Sequence, residues 1–166
     1  MTSLKKVLQK KKYIKIQLKK TATNHLEIKA KINGIKGRFI LDTGASNSCV
    51  GLDMIDRFQL LAEASETKAA GAGATDMETQ KSEDNLLEIG SWNTNQCHLV
   101  LFDLSHVNTA LTQHNAKKVH GIIGADILVM GKGIIDYKTL TLYLKISKKA
   151  MNKTVNHTFE IEDLPF

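Results

Sequence analysis

Two segments near the start of the chain alternate between apolar and polar residues with a period of two. The alternation runs through Lys12–Leu18 and again through Leu26–Ile32. This period is typical of β-strands that bury one face. Asn33-Gly34 follows the second segment, and both residue types tolerate the positive φ angles of a two-residue hairpin turn. We therefore predict that the second segment pairs with the next apolar run, Gly37–Leu41.

Most of the other predicted elements are also strands. They are short apolar runs bounded by polar residues, at Asn85–Ile89, Cys97–Phe102, Gly133–Asp136 and Thr139–Leu144, the last two forming a closing hairpin. Apolar spacing predicts short helices over Leu52–Leu61 and Ala125–Met130. Residues 62–84 are small, polar and acidic, and their glycines favour a mobile hairpin or loop. The chain has no visible repeat or linker, which indicates one mostly-β domain.

The composition limits the class of protein. At 166 residues with 42% hydrophobic content, the chain is long enough for one domain with a sizeable core. Disordered and collagen-like classes are excluded. No apolar run approaches the roughly 18–20 residues of a membrane-spanning helix, and lysines interrupt any signal-peptide core near the start. The two cysteines are too few for a disulfide framework, so we expect a soluble, cytoplasmic protein.

The formal net charge of +6 is unevenly distributed. Residues 1–38 contain twelve Lys/Arg and a single acid, whereas residues 53–103 contain ten acids and three bases. A basic arm can bind nucleic acid or another anionic surface. The sequence contains no helix-turn-helix, zinc-finger or RNA-recognition signature, however. We therefore expect solvated lysines and consider a nucleic-acid partner unlikely, while a nucleic-acid-associated role of the basic region stays open as an alternative.

The motif with chemical content is an apolar run that leads directly into Asp42-Thr43-Gly44. The tripeptide alone is weak evidence, because Asp-[Thr/Ser]-Gly occurs by chance in roughly one chain in ten of this length. Asp after a strand is also a common turn former. Roughly 80 residues later, Ile122-Ile123-Gly124 leads into a predicted short helix. The Asp-Thr-Gly motif followed by the Ile-Ile-Gly motif is a more specific signal than either motif alone.

With these motifs the chain resembles the retropepsin-like aspartic proteases, the family of retroviral proteases and their cellular and bacterial single-domain relatives. The resemblance extends roughly from Leu26 to Leu144 and is strongest in F-I-L-D-T-G-A-S-N-S at Phe39–Ser48 and H-G-I-I-G-A-D-I-L at His120–Leu128. It implies a mostly-β, single-domain, retropepsin-like closed β-barrel with a short helix after the second hydrophobic-hydrophobic-Gly motif. Viral members usually have arginine after that glycine, whereas Ala125-Asp126 resembles the cellular and bacterial branch.

The resemblance also implies domain boundaries. A basic N-terminal region, residues 1–20, leads into the first strand. The retropepsin-like domain spans residues 21–148, and residues 149–166 form a C-terminal extension.

The activity implied by the resemblance is that of an aspartic endopeptidase acting on a peptide or protein substrate. In such enzymes two nearby carboxylates share one proton and activate a water molecule, without a metal or another cofactor. The chain has one Asp-Thr-Gly, so the second carboxylate is implied to be Asp42 of another copy, in a homodimer with its active site on the two-fold axis. An inactive relative that binds peptides as a dimeric scaffold is the alternative.

Roles for the neighbouring residues follow from the same resemblance. Thr43 would lock the two loops together, Gly44 would donate its backbone N–H to the Asp42 carboxylate, and Ala45 would lie beneath the substrate. Ser46 would be a further hydroxyl near the carboxylate or a turn-stabilising residue. The supports behind the loop would be Ile122, Ile123 and Gly124. The candidate residues of a flap over the substrate are Gly71, Ala72 and Gly73.

Other catalytic chemistries lack support in the sequence. The six histidines form no metal-ligand spacing, so no metal site is predicted. Ser46 does not lie in a G-x-S-x-G motif, which argues against a serine hydrolase. Cys49 is interpreted as a small packing residue, and Asp126 as a helix N-terminal residue favoured by the helix dipole.

Overall fold

The computed structural model describes residues 4–65, 69–71 and 74–146, with backbone only for 69–71 and 74–77. The predicted C-terminal extension, residues 149–166, lies outside the described residues, as do Ala72 and Gly73. The helices are α1 (Leu4–Lys10), α2 (Ile55–Phe58), α3 (Ser105–Gln113) and α4 (Ala125–Met130). The strands are β1 (Tyr13–Gln17), β2 (Lys19–Lys20), β3 (Leu26–Ile32), β4 (Ile35–Leu41), β5 (Cys49–Gly51), β6 (Glu63–Ala64), β7 (Ala69–Gly71), β8 (Ala74–Met77), β9 (Gln80–Ile89), β10 (Trp92–Phe102), β11 (Gly121–Ile123), β12 (Ile134–Asp136) and β13 (Thr141–Lys145).

Six strands close into a barrel. They are hydrogen-bonded in the order β3-β4-β11-β5-β10-β9, and β9 pairs back with β3 to complete the ring. The β4–β11 and β5–β10 pairs are parallel, and the other pairs of the ring are antiparallel. The prediction of a mostly-β closed barrel is therefore confirmed. Short edge strands β2 and β6 extend the sheet at β3 and β9.

The barrel encloses one principal apolar core. Alternate side chains of β3, β9 and β10 point into it, as the period-two pattern predicts. The ring of Phe39 stacks against that of Phe58 from α2, with centroids 6.1 Å apart. The largest fully buried side chains of the core are Phe39, Phe58, Ile28, Ile32, Leu87, Ile89, Leu99, Leu101, Ile123, Ile127, Leu142 and Leu144. Burying each of these stabilises the fold by about 1.5–3 kcal/mol relative to exposure.

The Asn33-Gly34 turn joins β3 and β4 as predicted. Both residues have positive φ angles, 50° and 81°, and the strands pair from Ile32↔Ile35 at the turn to Leu26↔Leu41 at the far end. The Asn33 side chain also ties the turn to its surroundings. Its Nδ2 donates to the Phe58 carbonyl at 3.0 Å and to Asn85 Oδ1 at 3.1 Å, while its Oδ1 accepts from the Leu86 N–H at 3.0 Å.

Several predicted boundaries are wrong. The helix predicted over Leu52–Leu61 is a 3-10 turn followed by the four-residue α2, which ends where Gln59 takes a left-handed φ of 54°. The strands predicted at Asn85–Ile89 and Cys97–Phe102 extend further as β9 and β10. Helices α1 and α3 have no counterpart among the predicted elements. In α3 only Leu111 is buried, so its apolar periodicity is weak.

A second sheet lies outside the barrel ring and contains β1, β13 and β12 in that order. Strand β1 pairs antiparallel with β13 along its whole length, from Tyr13↔Lys145 to Gln17↔Thr141. Strands β12 and β13 form the predicted closing hairpin. Residues 13–17 are therefore part of the folded unit. Within the described residues, none of the helices is long and apolar enough to cross a membrane.

Replacing Asn33 with alanine tests the turn. The substitution removes three hydrogen bonds and leaves a residue with a Cβ at positive φ. We expect Asn33→Ala to lower the free energy of unfolding by about 2–4 kcal/mol, measured by chemical denaturation. Asn93→Ala, at an exposed position of β10, is the matched control and should cost under about 0.5 kcal/mol. Equal effects of the two substitutions would contradict this role of Asn33.

Candidate active site

The end of β4 determines the position of Asp42. Residues Phe39, Ile40 and Leu41 are buried, and the chain emerges to the surface at Asp42. The Asp42 backbone N–H donates to the Ile123 carbonyl at 3.0 Å. Its carboxylate Oδ1 accepts the Gly44 N–H at 2.8 Å. A hydrophobic strand thus presents an exposed carboxylate whose orientation is restrained by the turn that follows it.

Strand β11 lies between β4 and β5 and supports the loop from behind. Ile122 pairs with Ile40 and Ile123 with Leu41, in parallel register. A Cβ at Gly121 would collide with the Cys49 carbonyl and approach Phe39 Cδ1 to 3.1 Å. Only glycine therefore allows β11 to lie this close to its neighbours.

A partly buried polar cluster joins the loop to the start of α4. The Ser48 hydroxyl donates to Asp126 Oδ1 at 2.8 Å, and the Ser48 backbone N–H donates to Asp126 Oδ2 at 3.0 Å. The Gly124 N–H in turn donates to Ser48 Oγ at 2.9 Å. Ser48 is fully buried. We call Ser48, Gly124 and Asp126 the loop anchor, because they hold the end of the aspartate loop against the second motif.

Gly124 allows close backbone contact at the same place. A Cβ there would lie 2.7 Å from the Ala45 carbonyl oxygen and 2.9 Å from the Asn47 carbonyl carbon. The next residue, Ala125, donates its N–H to that Ala45 carbonyl at 2.7 Å. The two sequence motifs, far apart along the chain, therefore form one structural unit.

Comparison with known proteins identifies this unit. A profile of the family described as "Aspartyl protease" matches residues 28–127, which is more than half of the chain and includes both motifs. The chain belongs to the aspartyl protease family. Solved structures show that its fold is similar to that of retropepsin-like proteases. No curated protein has significant sequence similarity to the chain.

Two solved structures show the fold that this aspartyl protease family member shares. One is a retropepsin-like aspartic protease from Rickettsia conorii, with 18% identity, a TM-score of 0.54, and coverage of 80% of this chain and 89% of that chain. The other is the retroviral protease-like domain of Ddi1 from Leishmania major, with 18% identity, a TM-score of 0.53, and coverage of 72% and 87%. At this identity the likeness concerns the fold.

The other predicted residues of the aspartate loop differ in their exposure and contacts. Thr43 and Ser46 are exposed, and Ala45 is half-buried. Ser46 Oγ accepts a hydrogen bond from Asn47 Nδ2 at 3.3 Å, so its contact is within the turn and not with the Asp42 carboxylate. The buried hydroxyl of the loop is Ser48, which was not singled out in the sequence. Its only sequence signal is the segment G-A-D-I-L at Gly124–Leu128, which contains its partner Asp126.

The predicted flap region is described by its backbone. Strands β7 and β8 form an antiparallel hairpin in which Ala69 pairs with Met77 and Gly71 with Ala74. The predicted hairpin form is therefore found. Of the three candidate flap residues, Gly71 lies in β7, and Ala72 and Gly73 fall outside the described residues.

The cysteines near the site are packing residues. Burial, and to a smaller extent the charges of Asp126 and Asp42, raises the pKa of Cys49 to about 12. Burial also raises the pKa of Cys97 to about 12. Both thiols are free, buried and protonated at neutral pH, so neither is suited to act as a nucleophile. In the described part of the chain, no group of three or more His, Cys, Asp or Glu side chains is arranged to hold a metal ion.

His120 links β4 to the second motif in its neutral form. Its imidazole Nδ1 accepts the Arg38 backbone N–H at 2.9 Å, and the His120 backbone N–H donates to the Arg38 carbonyl at 2.8 Å. The imidazole packs edge-on against Phe58, with centroids 5.8 Å apart. Burial first, and the charge of Arg57 second, lowers the pKa of His120.

Substitution of Asp126 tests the loop anchor. Asp126→Asn replaces a carboxylate that accepts two hydrogen bonds from Ser48 with an amide that has only one acceptor oxygen. We expect a loss of about 1–3 kcal/mol in the free energy of unfolding. Asp56→Asn is the control, because it neutralises an exposed carboxylate at the start of α2 and should be nearly neutral. A stability for Asp126→Asn equal to that of the control would refute the anchor.

The lowered pKa of His120 predicts a pH dependence of stability. Below about pH 6.5 the unfolded chain binds a proton at His120 more readily than the folded chain does. The free energy of unfolding should therefore fall as the pH decreases from about 6.5 through the folded pKa. NMR titration of the imidazole should give a pKa below the ordinary value. His120→Gln should show a smaller decrease between about pH 7.5 and 5, and an unchanged decrease would contradict the assignment.

Proposed function

We propose that this chain is an aspartic endopeptidase, active as a homodimer in which Asp42 of each copy contributes one carboxylate. The observation that supports the proposal most directly is the exposed Asp42 carboxylate, restrained by the Gly44 N–H and standing at the end of a buried strand. Membership of the aspartyl protease family supports the same chemistry.

The proposed reaction is hydrolysis of a peptide bond by an activated water molecule. Two carboxylates a few ångströms apart share a single proton, because ionising both is costly. The ionised carboxylate removes a proton from the water, and the protonated one donates a hydrogen bond to the scissile carbonyl oxygen. The water oxygen thereby bonds to the carbonyl carbon and gives a tetrahedral intermediate, whose C–N bond breaks as the amide nitrogen takes back a proton from the pair. The pair titrates as a unit, so neither role belongs permanently to one copy.

The homodimer follows from the number of aspartate motifs. The 166-residue sequence contains one Asp-Thr-Gly, and the reaction requires two carboxylates. A two-fold axis beside the loop would bring the two Asp42 side chains together through one self-complementary interface. The exposed surfaces of Asp42, Thr43 and Gly44 leave the loop accessible to a second copy. In this dimer the Thr43 hydroxyl would join one loop to the other.

The substrate is a peptide in an extended conformation. We propose that its main chain pairs with strand segments beside the aspartate loops, which is the common mode of recognition at an accessible sheet edge. Ala45 would lie beneath the substrate, and the hairpin containing Gly71, Ala72 and Gly73 would close over it and exclude water. Ile122, Ile123 and Gly124 support the loop from behind.

Proteolysis of a denatured-protein library between about pH 3 and 7 tests the chemistry, since a carboxylate pair operates in this range. We expect the wild type and the exposed-carboxylate control Asp56→Asn to cleave, and Asp42→Asn to lose at least about 1,000-fold in rate. Undiminished cleavage by Asp42→Asn would refute the mechanism. Absence of cleavage by a folded wild type, together with peptide binding, would favour the inactive scaffold instead.

Mixing of subunits tests the shared site separately. Equal amounts of wild type and Asp42→Asn, re-equilibrated after dissociation, should leave about a quarter of the dimers with two Asp42 carboxylates. Activity per wild-type chain should therefore fall to about half that of the unmixed enzyme. Unchanged activity per wild-type chain, or a monomer by sedimentation under assay conditions, would exclude the shared site.

A further inference from the structure

The outer side of the β3–β4 hairpin places like charges directly opposite one another. The apolar side chains of β3 alternate toward the core, which leaves Lys29 and Lys31 on the outer side. In the antiparallel register Lys29 lies opposite Arg38, and Lys31 lies opposite Lys36. Like charges in opposite positions destabilise a pair of strands, and this hairpin has two such pairs on one face. Two unfavourable pairs side by side indicate that these cations have a role outside the stability of the fold.

Two further cations are joined to this hairpin by hydrogen bonds. Arg57 Nη2 of α2 donates to the Lys36 carbonyl at 3.1 Å. Arg38 Nη1 donates to the Lys118 carbonyl at 3.2 Å. We call the resulting set the basic face, and its members are Lys29, Lys31, Lys36, Arg38, Arg57 and Lys118. None of them belongs to the aspartate loop or to residues 1–20, so the proposed peptidase chemistry does not use this surface.

Acids offset only part of the charge of the basic face. Arg38 Nε lies 3.2 Å from Glu27, and Lys31 lies 4.0 Å from Glu88. The other four cations of the basic face form no ion pair within the part of the chain that the structure describes. Cations held this close repel one another, and an external polyanion would relieve that repulsion.

The charges of the basic face act together on His120. Burial has the largest effect and lowers the pKa of this imidazole, and the charges of Arg57 and, less strongly, Arg38 lower it further. The carboxylate of Asp53 opposes them more weakly. A titratable group therefore experiences the positive potential of both guanidinium groups in spite of the acid nearby.

We propose that the basic face binds the phosphate backbone of a nucleic-acid duplex without reading its sequence. Lys and Arg side chains contact phosphate oxygens, and the counterions released from the neutralised phosphates drive binding. Outward side chains that follow one another along a strand are about 6.6–6.8 Å apart, and neighbouring strands are about 4.8 Å apart, so the cations form a regular grid. Lys36 lies about 20 Å along the strand from Asp42, which separates the basic face from the aspartate loop. This partner is not predicted from the sequence, because only the strand register places the cations opposite one another.

A duplex fits the basic face better than other anionic partners do. Protein interfaces have apolar or aromatic anchors at their centre, and insertion into a bilayer also requires apolar side chains. Among the described residues, none of the large hydrophobic side chains that are exposed belongs to β3, β4, α2 or residues 114–118. Single strands bind through stacking on exposed aromatic side chains, which the basic face does not contain. A purely cationic surface suits a duplex backbone, because interfaces with DNA are more polar and more positively charged than those with proteins.

Fluorescence anisotropy with the full chain and a labelled, mixed-sequence DNA duplex of about 20 base pairs tests the proposal. We expect binding that weakens steeply between about 50 and 200 mM salt. Lys29→Gln/Lys36→Gln should weaken binding by about tenfold or more and reduce the slope of log K against log salt by about 2. Lys132→Gln/Lys138→Gln is the matched control. It removes the same charge from exposed positions before and after β12 and should weaken binding by about twofold at most.

A charge-preserving variant separates the charge of the basic face from its folding. Lys29→Arg/Lys36→Arg should retain duplex binding within about threefold, because Arg also contacts phosphates. Lys29→Gln/Lys36→Gln removes like-charged neighbours, so we expect its Tm to equal or exceed that of the wild type. Circular dichroism and thermal unfolding establish that each variant is folded.

Three outcomes would overturn the proposal. Equal loss in the two glutamine variants would show that only net charge matters. Absence of duplex binding by the wild type at about 50 mM salt would exclude a phosphate-binding face. Binding of polyglutamate or of phosphatidylglycerol vesicles, lost in Lys29→Gln/Lys36→Gln and without duplex binding, would assign the basic face to an acidic protein or to a lipid surface instead.

Discussion

The hydrogen bonds between Ser48 and Asp126 hold the aspartate loop in place. One carboxylate accepts both the hydroxyl and the backbone N–H of a single buried serine, at 2.8 Å and 3.0 Å. Hydrogen bonds to a carboxylate are stronger than those between neutral groups, and Ser48 itself is fully buried. The loop is fixed at its other end by the bond from the Asp42 N–H to the Ile123 carbonyl. The direction of the Asp42 carboxylate therefore depends on restraints at both ends of a short turn.

Local chemistry explains the parts of the fold that the sequence predicts. Asn33-Gly34 forms its turn because both residues adopt positive φ, and Phe39, Ile40 and Leu41 form a buried strand because they are continuously apolar. The loop anchor could not be found in this way. Ser48 and Asp126 are 78 residues apart, and their contact exists only because β11 inserts between β4 and β5. A polar pair that is formed by topology has no local signature.

The errors in strand and helix boundaries have similar causes. Strand β10 has register shifts between Thr94 and Leu99, and Asp84 in β9 has a φ of 54°, so bulges interrupt the period of two. In α3 the side chain of Asn108 bonds both the N–H and the carbonyl of Val119. A helix that is held by such a tertiary contact needs little amphipathic pattern of its own. The predicted strands are therefore too short where bulges interrupt the alternation, and helix α3 is missed because a polar contact stabilises it.

The pairing of β1 with β13 has a consequence for how the chain can be handled. The first and last described strands are neighbours, and just beyond their paired ends the Ile146 N–H donates to the Lys12 carbonyl at 3.0 Å. Strand β13 is the middle strand of its sheet only while β1 covers it. Trimming the chain past Gln17 would expose the backbone N–H and C=O groups of β13 as a new edge, open to strand exchange and aggregation. The closeness of Lys12 and Ile146 also suits circular permutation, in which a short linker joins these two positions and new ends are opened in a surface loop.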